Sequence, residues 1–216
     1  MKHKRFFIFA ISFLILSGIV IWAINFKEPI GTQNMQTESV SGGNLVADAI
    51  RYAVAGDIAF VCTSDLKSYT AAGVNVSDSE LLNFIAMKND KVYAISITGK
   101  QITTALKKAV SVYPKNNPAF LQTSGLEVAF DPEAKYDSKI ISVKLNGKSL
   151  EDDTYYLVAM SESLSNGAFG YWKIWDTSKA VINEETMGNS LIEYVKKKNI
   201  DDIYQKRIKI SEDKEK

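Results

Sequence analysis

The sequence predicts an α+β (mixed α/β) domain, a mixed β-sheet with helices packed on it, preceded by one N-terminal transmembrane helix. Three observations lead there. Apolar residues recur at helical spacing in residues 44–55, 99–112 and 184–198, and with a period of two in residues 126–130 and 139–148. The two kinds of segment alternate along the chain, which brings helices onto a sheet. An uncharged apolar stretch, residues 6–26, follows the basic leader MKHKR.

A chain of 216 residues with 46% hydrophobic content can bury one good-sized core, or two small ones. Its 26 basic and 25 acidic residues give a formal charge of +1, without the basic excess of a sequence-independent nucleic-acid binder. No nucleic-acid partner is expected. The single cysteine, Cys62, cannot form an intrachain disulfide, so packing has to hold the fold.

Residues 6–26, FFIFAISFLILSGIVIWAINF, are apolar all round. At about 1.5 Å per residue, a helix of this length reaches roughly 30 Å, one hydrocarbon core. A cleaved secretory signal has an apolar region of about 7–15 residues and a small-x-small exit. This run is longer, and Trp22, Ile24, Asn25 and Phe26 make a poor cleavage site. A retained signal anchor is therefore favoured over a cleaved, secreted form. Lys2, Lys4 and Arg5 put residues 1–5 in the cytoplasm and the rest outside the cell membrane, as a single-pass protein. Residues 27–42 show Pro29, Gly31 and Gly42 without periodicity and read as a tether. The folded domain is expected over residues 43–211, with 212–216 a charged tail.

Within that domain, Leu45, Val46, Ala49, Ile50 and Ala53 line one helix face, with Asn44 placed to cap it. Residues 57–62, DIAFVC, suit a strand, and 63–73 a loop. Ser77 and Glu80 form a capping box opening a short helix through Ile85. Val92, Ala94 and Ile97 suggest a strand covered on both faces, and residues 99–112 a second strong helix. FLQTSGLEVAFDP, residues 120–132, has Leu126, Val128 and Phe130 on one face, and Gly125 marks a bulge or a close backbone approach. Ile141, Val143 and Leu145 alternate up to Asn146-Gly147, a favoured hairpin turn, with YYLVAM (155–160) as the return strand. A loop over 163–171, an amphipathic helix over 184–198 and an edge strand over 207–210 complete the order.

The residue inventory limits the chemistry. The only histidine is His3, on the cytoplasmic side of the expected anchor. No Ser/His/Asp, Cys/His or histidine-containing metal cluster can be built in the expected outer domain. Asp152-Asp153 and Asp201-Asp202 read as solvated turn residues, and Cys62 as a buried inert thiol. The loop SNGAFGYWKIW (165–175) has Phe169, Tyr171, Trp172 and Trp175 between Gly167 and Gly170 and beyond. Its rings either stack on a planar ligand or fill a core under the loop.

Several stretches together resemble one family. GNLVADAIR (43–51), DIAFVCTSDLK (57–67), ISITGKQITTALKKAV (95–110), FLQTSGLEVAFDP and NGAFGYW (166–172) stand in the order of the C-terminal, substrate-binding domain of 5'-nucleotidases. The resemblance runs from about residue 43 to residue 210. In that family a separate metallophosphoesterase domain holds two metal ions, and nothing here resembles it, so no cofactor is expected in this chain. The resemblance implies that the base stacks between two rings. The slot of one holds Met87, followed by Asn89. The other is Tyr171, in the GAFGY segment of Gly167, Phe169, Gly170 and Tyr171. The family's asparagine and arginine contacts fall on Cys62 and Lys67. Lysine keeps the charge without the planar two-pronged donor. The implied ligand site is thus Cys62, Lys67, Met87, Asn89, Gly167, Phe169, Gly170 and Tyr171, a partly altered pocket.

Three functions are expected to compete. One is a membrane-anchored, non-catalytic module for a nucleotide or nucleoside. Another is a substrate-holding subunit acting with a separate metallophosphoesterase in nucleotide breakdown. The third is a structural or protein-interaction domain.

Overall fold

The structure, a computed structural model, describes residues 15–16, 19–20, 23–198 and 200–211. In chain order it runs through the short strands β1 (Ile15–Leu16), β2 (Ile19–Val20), β3 (Ala23–Ile24) and β4 (Ile30–Gly31) to helix α1 (Ser41–Ala53). Then come β5 (Ile58–Cys62), β6 (Thr70–Ala71), β7 (Val76–Ser77), α2 (Asp78–Leu82), β8 (Lys91–Thr98) and α3 (Gly99–Ala109). The middle holds β9 (Leu121–Ser124), β10 (Leu126–Phe130), β11 (Ile140–Leu145) and β12 (Lys148–Ser149). The chain ends with β13 (Tyr155–Ser161), α4 (Glu162–Ser165), β14 (Val181–Thr186), α5 (Met187–Lys197) and β15 (Ile208–Ile210). The mixed α/β class is as the sequence predicts.

Where one sheet is expected, there are two main ones. The larger has the order β14-β8-β13-β5-β9, the smaller β12-β11-β10-β15. Each is mixed: β13 runs parallel to β5, and β15 parallel to β10. Gly125 is the joint between them, because β9 belongs to the first sheet and β10 to the second. Its φ is +84°, and the Asp57 carbonyl lies where a Cβ would stand, so only glycine fits.

Every residue of β5 is buried, and its two faces serve two cores. Ile58, Phe60 and Cys62 join Ile102, Leu106, Val128 and Phe130 on one side. Ala59 and Val61 join Leu45, Ile50, Phe84 and Leu191 on the other. The capping box at Ser77 is present with both bonds, Glu80 N to Ser77 Oγ at 3.3 Å and Ser77 N to Glu80 Oε2 at 3.0 Å. Thr98 and Gln101 repeat it at α3.

Four local expectations change. Asn44 is no cap: α1 starts at Ser41, and the buried Asn44 amide donates to the carbonyls of Ile203 and Gln205 at 2.8 and 2.9 Å. The segment YYLVAM does not return along β11. It enters the larger sheet beside β8, while β11 turns through Asn146 and Gly147 (φ 52° and 78°) to β12. Residues 184–186 belong to β14, and the last helix begins only at Met187.

The fourth concerns residues 27–42, which are packed structure rather than a tether. β3 pairs with β7, and β4 with β6. Ile30 is fully buried, and Thr32 Oγ1 donates to Lys67 O at 2.6 Å. The Gln122 amide oxygen accepts from Val40 N, and its NH2 donates to Met35 O and Glu38 O. Such irregular pairing leaves no periodic trace in the sequence. Most of the expected anchor, residues 6–26, lies outside the described residues, as do 212–216. Its described parts are extended, and among the described residues no helix is long and apolar enough to cross a membrane.

Candidate functional site

The parallel strands β5 and β13 end side by side at Cys62 and Ser161, and antiparallel β8 begins at the same edge. In open α/β sheets the carboxyl ends of parallel strands are where ligands sit. Three segments meet here: the turn after β5, the loop before β8, and the chain after β13. Lys67 N donates to Phe84 O at 2.9 Å, and Ala86 N to Asp65 O at 2.8 Å. Ser161 and Ser163 donate to the two oxygens of Asp65, each at 2.6 Å. These bonds bring the segments that carry Lys67, Met87 and Asn89 to one edge with the start of the chain after β13.

Their exposure divides them. Lys67, Met87 and Asn89 are exposed, Met87 at 63%. Cys62 is not available to a ligand: its thiol donates to Pro118 O at 3.0 Å, and burial pushes its pKa up to about 11. Tyr171 is in the core as well, fully buried, with its hydroxyl donating to Ala119 O at 2.7 Å. Its ring stacks on Trp175, 5.2 Å between centres and 12° between planes, and Lys108 Nζ lies 5.6 Å from its centre. Burial raises its pKa well above the ordinary tyrosine value.

The loop's backbone explains the inversion. Gly167, Phe169 and Gly170 are all left-handed, at φ 83°, 54° and 82°. A Cβ on Gly167 would collide with Trp172. This coil turns Tyr171 inward and leaves Phe169 and Trp172 outside, at 44% and 61% exposure. Lys173 Nζ sits 5.2 Å from the Trp172 ring centre. The open rings of this loop are thus Phe169 and Trp172, with the Lys173 ammonium next to Trp172 in sequence and in space.

Sequence reasoning passed over Asp65. It is buried, and desolvation raises its pKa against the lowering by the Ser161 and Ser163 hydroxyls. The only sequence signal was the S-x-S spacing at the end of β13. Asp90 is also raised, first by desolvation and then by Glu162 nearby. Among the described residues no group of three or more His, Cys, Asp or Glu could hold a metal ion, and His3 lies outside them. The described residues therefore do not supply the ligands of a two-metal centre.

Comparison with known proteins agrees with this architecture. The family model of the 5'-nucleotidase C-terminal domain matches residues 23–176, starting at β3. A 5'-nucleotidase-related protein of Glossina morsitans morsitans is 27% identical over 187 residues, covering 75% of this chain and 33% of that protein. The trifunctional nucleotide phosphoesterase YfkN of Bacillus subtilis is 28% identical over 151 residues, 64% of this chain and 10% of its own length. The chain thus spans a third or less of these relatives. A 5'-nucleotidase precursor from Thermus thermophilus shares the fold at a TM-score of 0.74 and 17% identity, over 88% of this chain and 39% of that one. With its family model covering most of the described residues and a nucleotidase domain's fold, this chain belongs to the 5'-nucleotidase C-terminal domain family.

Proposed function

We propose that this chain is a holding domain for a nucleotide or nucleoside, displayed outside the cell membrane and without a hydrolytic centre of its own. The carrying observation is that Phe169 and Trp172 stand exposed on the loop after β13, at the edge where the three segments meet. A free ring offers a base a stacking face worth about 1–3 kcal/mol. Lys67 and Lys173 supply point charges for a phosphate. The nucleotide class is supported by the names of the relatives, and the anchor by the apolar run after the basic leader. The catalytic metals belong, on this reading, to a different domain.

Calorimetric titration of the full chain with adenosine and AMP tests it. Saturable binding that weakens about tenfold or more in Trp172→Ala is expected, the loss of one stacked ring. No heat at millimolar ligand would end the ligand-holding reading and leave a protein-interaction role, which the burial of Tyr171 favours. Hydrolysis of AMP by the chain alone with Mn2+ or Zn2+ would overturn the non-catalytic part.

The size of the relatives favours a second reading, in which the domain presents substrate to a separate metallophosphoesterase during nucleotide hydrolysis. Affinity capture from membranes should then recover a phosphoesterase, and adding it should give nucleotide hydrolysis.

A further inference from the structure

A cavity of about 220 Å3 lies where α1, the Gly125 joint, the end of α5 and residues 200–207 meet, and it shares no residue with the β5/β13 edge. We propose that it binds a small molecule bearing an oxyanion, a carboxylate or a phosphate, with Arg51 and Tyr194 as the gripping groups. The site is independent of the nucleotide-holding edge.

The charged pair in the wall is already closed. Arg207 donates to both Asp48 oxygens at 2.7 Å, and to Thr123 O at 2.7 Å, so neither partner is left for a ligand. Two other donors line the same cavity with nothing among the described residues to donate to. The Arg51 guanidinium is half-buried against Gly125, its Nη1 3.5 Å from where a Cβ would stand. It has no hydrogen bond or ion pair among the described residues. The Tyr194 hydroxyl, half-buried, likewise has no hydrogen-bond partner among them. Burial foremost pushes its pKa up to about 12, so it stays a donor at neutral pH.

A planar guanidinium has donors only, and a half-buried one without acceptors is complemented best by a two-oxygen anion. Glycine at 125, which the left-handed backbone requires, also keeps the space beside Arg51 open. The exposed part carries the carboxylates of Glu127 and Asp202 and the ammonium of Lys206, which is paired with Glu38. Among the described residues the unpaired charge there is therefore negative, which disfavours polyanions and suits a ligand that also carries an amine. The volume lies below the roughly 300–1,000 Å3 of most small-molecule sites, so the ligand is nearer an amino acid than a nucleotide in size.

The test is calorimetric titration of the full chain with inorganic phosphate, acetate and glycine at matched ionic strength. Saturable one-to-one binding of at least one is expected, phosphate alone marking a phosphate site, acetate or glycine a carboxylate site. Tyr194→Phe should weaken it about tenfold and Arg51→Gln by more, the loss of one and of two hydrogen bonds to an anion. Tyr194→Phe removes a single oxygen, so it reads out the site even if Arg51→Gln fails to fold. No saturable heat with any of the three, or binding indifferent to Tyr194→Phe, would overturn the proposal.

Discussion

Arg207, just before the last strand, closes a two-pronged ion pair with Asp48 in the first helix, 159 residues earlier, with both N–O distances 2.7 Å. The side chains are 11% and 7% exposed. Breaking such a pair strands a buried charge. Asp48→Ala or Arg207→Ala should each lower stability by about 3–5 kcal/mol, whereas Asp48→Leu with Arg207→Met should lower it less than either. Urea denaturation midpoints check this. If the double variant is as damaged as the singles, the cost lies in packing rather than in the orphaned charge.

Asp65 should give stability a recognisable pH dependence. Its carboxyl is raised from the ordinary 3.8, chiefly by desolvation. The native state therefore binds this proton more tightly than the unfolded chain does. The associated stability is fully present below the ordinary value and is lost as pH rises through the raised one. Denaturation midpoints measured from about pH 3 to pH 7 should fall more steeply in the wild type than in Asp65→Asn. Parallel profiles would show that the carboxyl is not perturbed.

Tyr171 and Trp172, neighbours in sequence, should behave oppositely. Tyr171→Phe leaves the Ala119 carbonyl without its donor and should lower stability by about 1 kcal/mol. Tyr171→Ala should lower it by about 3–5 kcal/mol. Trp172→Ala should change stability by less than about 0.5 kcal/mol while weakening nucleoside binding. Thermal melts and ligand titrations on the same three proteins separate the roles.

Phe169 is a bulky residue held at φ 54° and exposed. A left-handed conformation burdens a non-glycine residue by about 1–2 kcal/mol. Phe169→Gly should accordingly raise stability by about 1 kcal/mol and weaken ligand binding. A variant that loses stability would mean that the ring packs more than its exposure indicates.

What the sequence made legible was local. Alternation at Leu126, Val128 and Phe130 marked the buried face of β10, and Asn146-Gly147 and the Ser77–Glu80 box carry their geometry in their side chains. Strand partners were not legible, since alternation names the buried face and not the neighbour. YYLVAM therefore suited a hairpin with β11 as well as its actual place between β8 and β5. Asn44 has a cap's chemistry, and only the distant carbonyls of Ile203 and Gln205 reveal its use. The resemblance points to the loop around Tyr171, but which of its rings faces outward depends on three left-handed residues within four positions, Gly167, Phe169 and Gly170, and one of them is a phenylalanine.

The pairing of β3 and β4 with β7 and β6 bears on any shortened version of the protein. A fragment cut at Gly43 would bare the unpaired rims of two strands and drain Phe26 and Ile30 from their shared interior. Open rims of that kind recruit other chains, so such a fragment would clump where a piece beginning at Ala23 would stay dispersed.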